Sequence, residues 1–179
     1  MAWATAGMAV VGGLALLIGQ AMPRSVAGPM MLQSTAHEAR AASALESSTS
    51  PEALERARGE TRAGLALNPN NPVAWMRLAW IEDQLAGGGF PDASQRAVAR
   101  AYDVAPYGPQ VSSYRLTFIL DRWPTASASL RDQARSEIAV MWLNQRQTLQ
   151  RAVARSVSRP GRLSARATMV RMAAQNPGR

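Results

Sequence analysis

The sequence predicts an all-α protein, with an N-terminal transmembrane helix followed by a stack of antiparallel helical hairpins. Three observations lead to this class. Ala2 to Met22 form an apolar run without a charged residue. Behind it, apolar residues recur at the three- and four-residue spacing of amphipathic helices. Two similar helix endings, LALNP at 65–69 and YDVAP at 102–106, lie about 37 residues apart. Recurrence at such a period marks a helical repeat, because each hairpin buries its apolar face only by stacking on a neighbour.

Composition sets the outer limits. The 179 residues are 47% hydrophobic, enough for a core in one compact domain besides an anchor. Cysteine is absent, which excludes disulfides, thiolate metal sites and cysteine nucleophiles but not an oxidising compartment. All twenty basic residues are arginine, and with the abundant alanine this looks like the coding bias of a high-GC bacterium. The net charge of +8 is unevenly placed. Residues 1–130 hold ten arginines and ten acids, whereas residues 131–179 hold ten arginines against only Asp132 and Glu137. An electrostatic partner therefore meets the C-terminal end.

Residues 1–23 read as a membrane anchor. Twenty-one uncharged residues at 1.5 Å each span about 32 Å, close to a hydrocarbon core of about 30 Å. The competing reading is a cleaved secretory signal, for which Gly19-Gln20-Ala21 offers suitable small residues, although no Arg or Lys precedes the run. Orientation is weakly coded: Arg24 alone would hold the following domain in the cytoplasm, whereas a short N-terminal signal anchor exports it. The reading adopted is a single-pass bacterial inner-membrane protein with a periplasmic domain. Residues 24–35, with a proline and a glycine and directly preceded by Pro23, suit a linker.

Residues 36–175 form the helical domain and 176–179 a frayed tail. The first helix covers Ala36 to Glu46 and stops in the serines that follow; His37, the only histidine, reads as a surface residue. Ser50-Pro51-Glu52 combines a cap, a proline suited to the first helical position and an acid for the dipole, opening a helix to about Leu67. Its inner stripe is Ala53, Leu54, Ala57, Thr61, Gly64, Leu65 and Leu67. Asn71-Pro72 repeats the start signal for a helix from Val73 to Ala86. The three glycines at 87–89 end it; without a preceding strand or a following Gly-Lys-Ser/Thr they are a terminating turn and not a phosphate loop. Glu82 lies on the inner side and requires an arginine partner. The next helix runs from Pro91 to Val104.

This central unit resembles the tetratricopeptide repeat. In the first helix of that family a bulky aromatic is followed by Leu and a small residue, here Trp75, Leu78 and Ala79; the end of the second helix is matched by Ala101, Tyr102, Val104 and Pro106. Glu82 stands where an aromatic is usual, and about three extra residues occupy the turn. The match covers residues 51–106. It implies a right-handed stack of helical hairpins that binds peptides or proteins.

In the C-terminal half, Pro109 to Asp121 is apolar on most sides and predicts the best-buried helix. Ser129 to Asp132 has capping-box spacing for a helix from Leu130, with Leu130, Ala134, Ile138, Met141 and Trp142 inward. After a break at Asn144-Gln145 comes a helix with Leu149, Ala152, Val153 and Val157 inside, then a stop at Pro160-Gly161. Leu163, Ala167, Val170 and Ala174 define the inner stripe of the last helix. Arg146, Arg151, Arg155, Arg159, Arg162 and Arg166 fall on outer faces and form the candidate basic contact face. A solvated surface is the plain reading of such a pattern; anionic lipid or an acidic protein surface is the functional one. Nucleic acid fits poorly, since Trp123 and Trp142 occupy core positions instead of alternating with the arginines.

No catalytic, cofactor-binding or metal-binding constellation is present in the sequence. The expectation is a non-enzymatic scaffold of a cell-envelope assembly, with protein partners in a membrane complex. Its layout is similar to that of accessory proteins of bacterial exopolysaccharide or O-antigen synthesis. The alternative is an accessory structural subunit of a larger inner-membrane complex, whether respiratory, photosynthetic or secretory.

Overall fold

The computed structural model describes residues 29–176, and within them the protein is all-helical. Helices α1 (Pro29–Ser47), α2 (Pro51–Leu67), α3 (Pro72–Leu85), α4 (Asp92–Val104), α5 (Pro109–Asp121), α6 (Ala128–Asn144), α7 (Arg146–Arg155) and α8 (Arg159–Gln175) follow one another through short turns. No described helix is long and apolar enough to cross a membrane. The anchor expected at 1–23 lies outside the described residues.

Local chemistry sets the helix starts. Ser50 Oγ accepts a hydrogen bond from Ala53 N at 3.3 Å, and Asn71 Oδ1 accepts from Val73 N and Ala74 N at 3.0 and 3.2 Å, each with proline in the first turn. Between α3 and α4, Gly87 and Gly88 take φ of 69° and 84°, a region open to glycine at little cost. Phe90 is also left-handed, at φ 51°. Its ring is buried edge-on to Phe118, with centroids 5.7 Å apart, and its N–H donates to Asp83 Oδ1 at 2.9 Å. Packing and a charged acceptor together offset the backbone strain.

The pairs α1–α2 and α3–α4 are the most closely packed, and α2 joins one pair to the next through α3. Beyond α4 the pattern changes: α5 meets α7 and α8 as well as α6, and α6 packs on α8. The core runs through this cluster, with Leu116, Ile119, Leu120, Ile138 and Leu149 all fully enclosed. Each such side chain contributes about 1.5–3 kcal/mol of transfer free energy. Gly161 explains how α8 approaches α5 so closely, since a Cβ there would lie 2.1 Å from the Leu120 carbonyl oxygen.

Several boundaries and faces differ from the sequence reading. Helix α1 begins at Pro29, inside the stretch assigned to the linker. Ser127, not Ser129, caps α6, its Oγ accepting from Leu130 N. Pro160 opens α8 instead of ending a helix, because Ser158 supplies a cap for it. Val157 is 72% exposed beyond the end of α7. The stripe assigned to the interior of the last helix faces outward: Leu163 and Val170 are 55% and 68% exposed, and Ala167 and Ala174 are also exposed. Gly161, Ala165 and Thr168 form the buried side, because the approach permitted by Gly161 turns the small residues toward α5 and α6.

Candidate functional site

The arginine-rich end is built by α7 and α8. No acidic residue follows Glu137 in the chain, and none of Arg151, Arg155, Arg159, Arg162, Arg166 and Arg171 belongs to an ion pair among the described residues. Arg151, Arg155, Arg159 and Arg166 are exposed. Arg162 is half-buried, its Nη1 donating to the Ser156 carbonyl at 2.6 Å. The Arg146 guanidinium lies 3.8 Å over the Trp142 ring. Beside these cations are the outward side chains Leu163 and Val170, with Val157 between the two helices. The α7–α8 end thus exposes Arg151, Arg155, Arg159 and Arg166 together with the apolar Val157, Leu163 and Val170, and the Asp121 carboxylate of α5 binds the turn between the two helices.

The repeat-defining residues hold different places. Leu78, Ala79, Ala101 and Tyr102 are buried; Trp75 and Val104 are half-buried, and Pro106 is exposed. Trp75 Nε1 donates to the Pro69 carbonyl at 2.8 Å, tying the start of α3 to the turn before it. Glu82 finds the expected arginines, with Arg62 Nη2 at 2.7 Å and Arg58 Nη1 at 3.7 Å. His37 is not an isolated surface group: its Nδ1 lies 2.7 Å from Glu60 Oε2, and Arg40 Nε donates to the same oxygen at 2.8 Å. The hydrogen bond with His37, followed by that from Arg40, holds the Glu60 carboxyl below its ordinary value of 4.5.

A buried polar latch went unseen in the sequence. Arg115 Nη2 donates to Glu137 Oε1 at 2.5 Å, and its other N–H groups reach the carbonyls of Ala101, Ala105 and Pro106 at 2.9–3.0 Å. Tyr102 Oη donates to Glu137 Oε2 at 2.8 Å, and the Arg115 guanidinium lies 3.7 Å over the Tyr102 ring. Burial, and then the neighbouring Glu137 charge, push the Tyr102 hydroxyl well above its ordinary value of 10, so it remains a donor. The latch joins α4, α5 and α6 and satisfies its own charges, so it is structural. The only sequence signal was a long cation in a helix that is otherwise apolar on most sides.

A cleft of about 620 Å³ lies beside this latch, lined in part by Asp103, Tyr107, Asp132 and Gln133. Its two acids are bound to Arg100 and Arg135 within their own helices. Among the described residues no group of His, Cys, Asp and Glu is placed to hold a metal ion. No family model, curated protein or solved structure matches the chain.

Proposed function

We propose that the protein is a non-enzymatic, membrane-held scaffold of the tetratricopeptide-like type, which holds protein partners in a bacterial cell-envelope assembly. Exopolysaccharide or O-antigen synthesis is the setting its layout favours. The observation that carries this reading is the α7–α8 end, whose two helices contain no acid of their own and expose Arg155, Arg159 and Arg166 together with Leu163 and Val170, the Asp121 carboxylate of α5 being taken up by the turn between them. Such a surface suits an acidic protein face or anionic headgroups, each basic residue contributing about 1 kcal/mol near a negative membrane. The uncharged run at 2–22 supplies the anchor, with the helical domain on the periplasmic side. Ion-paired acids, exemplified by Glu82, Asp83 and Glu137, support a role without catalysis.

Blue-native electrophoresis of the full chain extracted from membranes in mild detergent tests this reading. A complex well above the monomer mass that dissociates with added salt is the expected result; a monomer at low salt contradicts it. The exposed apolar stripe also favours a second reading, a fixed structural subunit, for which the complex would resist salt. A reporter active on only one side of the membrane, fused at the C-terminus, gives the side.

A further inference from the structure

Helix α8 carries its charge in an ordered pattern. Arg159, Arg162 and Arg166 recur at three- and four-residue spacing along one side and Arg171 lies on the other, while Leu163, Ala167, Val170 and Ala174 stand between these rows. All four of the latter are exposed. With Gly161, Ala165 and Thr168 on the buried side, the uncovered face of α8 is an aliphatic strip bordered on both edges by guanidinium groups.

The helices around α8 have no idle acid to set against this charge. It packs on α5, α6 and α7, whose carboxylates are Asp121, Asp132 and Glu137. Asp121 accepts from Ser156 Oγ and Val157 N at 2.7 Å, Asp132 pairs with Arg135 of its own helix, and Glu137 is buried against Arg115. Residues 1–28 and 177–179 contain neither Asp nor Glu. A second copy of the same face would set arginine against arginine, which disfavours self-association through it.

We propose that the outward face of α8 docks on an anionic phospholipid surface, with Leu163 and Val170 seated below the headgroups and Arg159, Arg162, Arg166 and Arg171 reaching phosphates on either side. Arginine lays its aliphatic stem along apolar surface and keeps its charge at headgroup level, so a strip with cations on both edges fits a planar boundary between hydrocarbon and phosphate. An acidic protein fits less well, because α8 holds no aromatic residue to anchor in a partner's pocket. The inference deepens the reading above and rests on its anchor, which keeps a bilayer within reach of the domain.

The chain has no cysteine, so Ala167→Cys takes a single environment-sensitive fluorophore in the middle of the strip. The labelled full chain is reconstituted from detergent, without other proteins, into vesicles of phosphatidylcholine alone or mixed with phosphatidylglycerol. Flotation with phosphatidylcholine vesicles reports the anchor, and emission reports α8. The expected result is a blue shift in the phosphatidylglycerol vesicles, absent in phosphatidylcholine and weakened at about 1 M salt, where the Debye length is about 3 Å. The shift should be lost in Arg159→Gln/Arg166→Gln and in Leu163→Ser/Val170→Ser, each with an unchanged Tm. Equal emission in both vesicle types, or a shift that the arginine variant keeps, overturns the proposal. Where equal emission accompanies flotation and a salt-labile complex in blue-native electrophoresis, an acidic protein covers the face and the scaffold reading stands. A phosphatidylglycerol-dependent shift in a chain that does not float with phosphatidylcholine supports the docking and removes the anchor instead.

Discussion

At the scale of single residues, buried charge is the main source of specificity. Removing one member of the Arg115–Glu137 pair leaves the other desolvated, so Glu137→Ala is expected to cost about 3–5 kcal/mol in urea unfolding. Replacing both by methionine should cost markedly less. At the surface, the folded carboxyl of Glu60 lies below its ordinary value of 4.5. Its stabilising contribution is therefore fully present above pH 4.5 and is lost as pH falls through the folded value. Wild type and Glu60→Gln should differ in Tm at neutral pH and converge as pH falls below the folded value. The Glu82 partnership was legible because an acid on an inner face needs a cation. That of Arg115 was not, since a cation within an apolar helix does not reveal whether an acceptor waits in another element.

At the scale of elements, Ser50-Pro51 and Asn71-Pro72 mark helix starts as expected, whereas the starts of α1, α6 and α8 differ from the sequence reading. Helix α2 occupies Pro51–Leu67, the span its cap-and-proline signature indicates, and α5 occupies Pro109–Asp121, the span its apolar residues indicate. Faces at the C-terminal end were misread for a physical reason: the outward stripe of α8 is the more apolar one, and long-range contact, not apolarity, decides which side is buried. Gly161 decides, because only hydrogen fits against the Leu120 carbonyl. Gly161→Ala should destabilise by about 1–3 kcal/mol, as overpacking against backbone cannot relax by a rotamer change. By contrast Leu163→Ser and Val170→Ser should stay within about 0.5 kcal/mol, while Ile138→Ala in the core costs about 2–5 kcal/mol. Calorimetry of the three classes distinguishes an outward Leu163 stripe from an inward one.

At the scale of the molecule, two closely packed helical pairs lead into a clustered second half whose far end carries the charge excess. The uneven charge was legible from counting arginines and acids. The uncovered apolar neighbours were not, because exposure is a property of the packed molecule and not of the helix. Stability resides in the core and the buried latch, and the proposed contact with partners lies at α7–α8, so the two should separate by mutation. The most direct measurement compares blue-native mobility and Tm of the full chain in wild type and in Arg155→Gln/Arg159→Gln/Arg166→Gln. The account predicts that the variant loses the high-mass complex while its Tm shifts by less than about 2 °C, as expected for exposed, unpaired side chains. A complex that survives the triple substitution unchanged would contradict it.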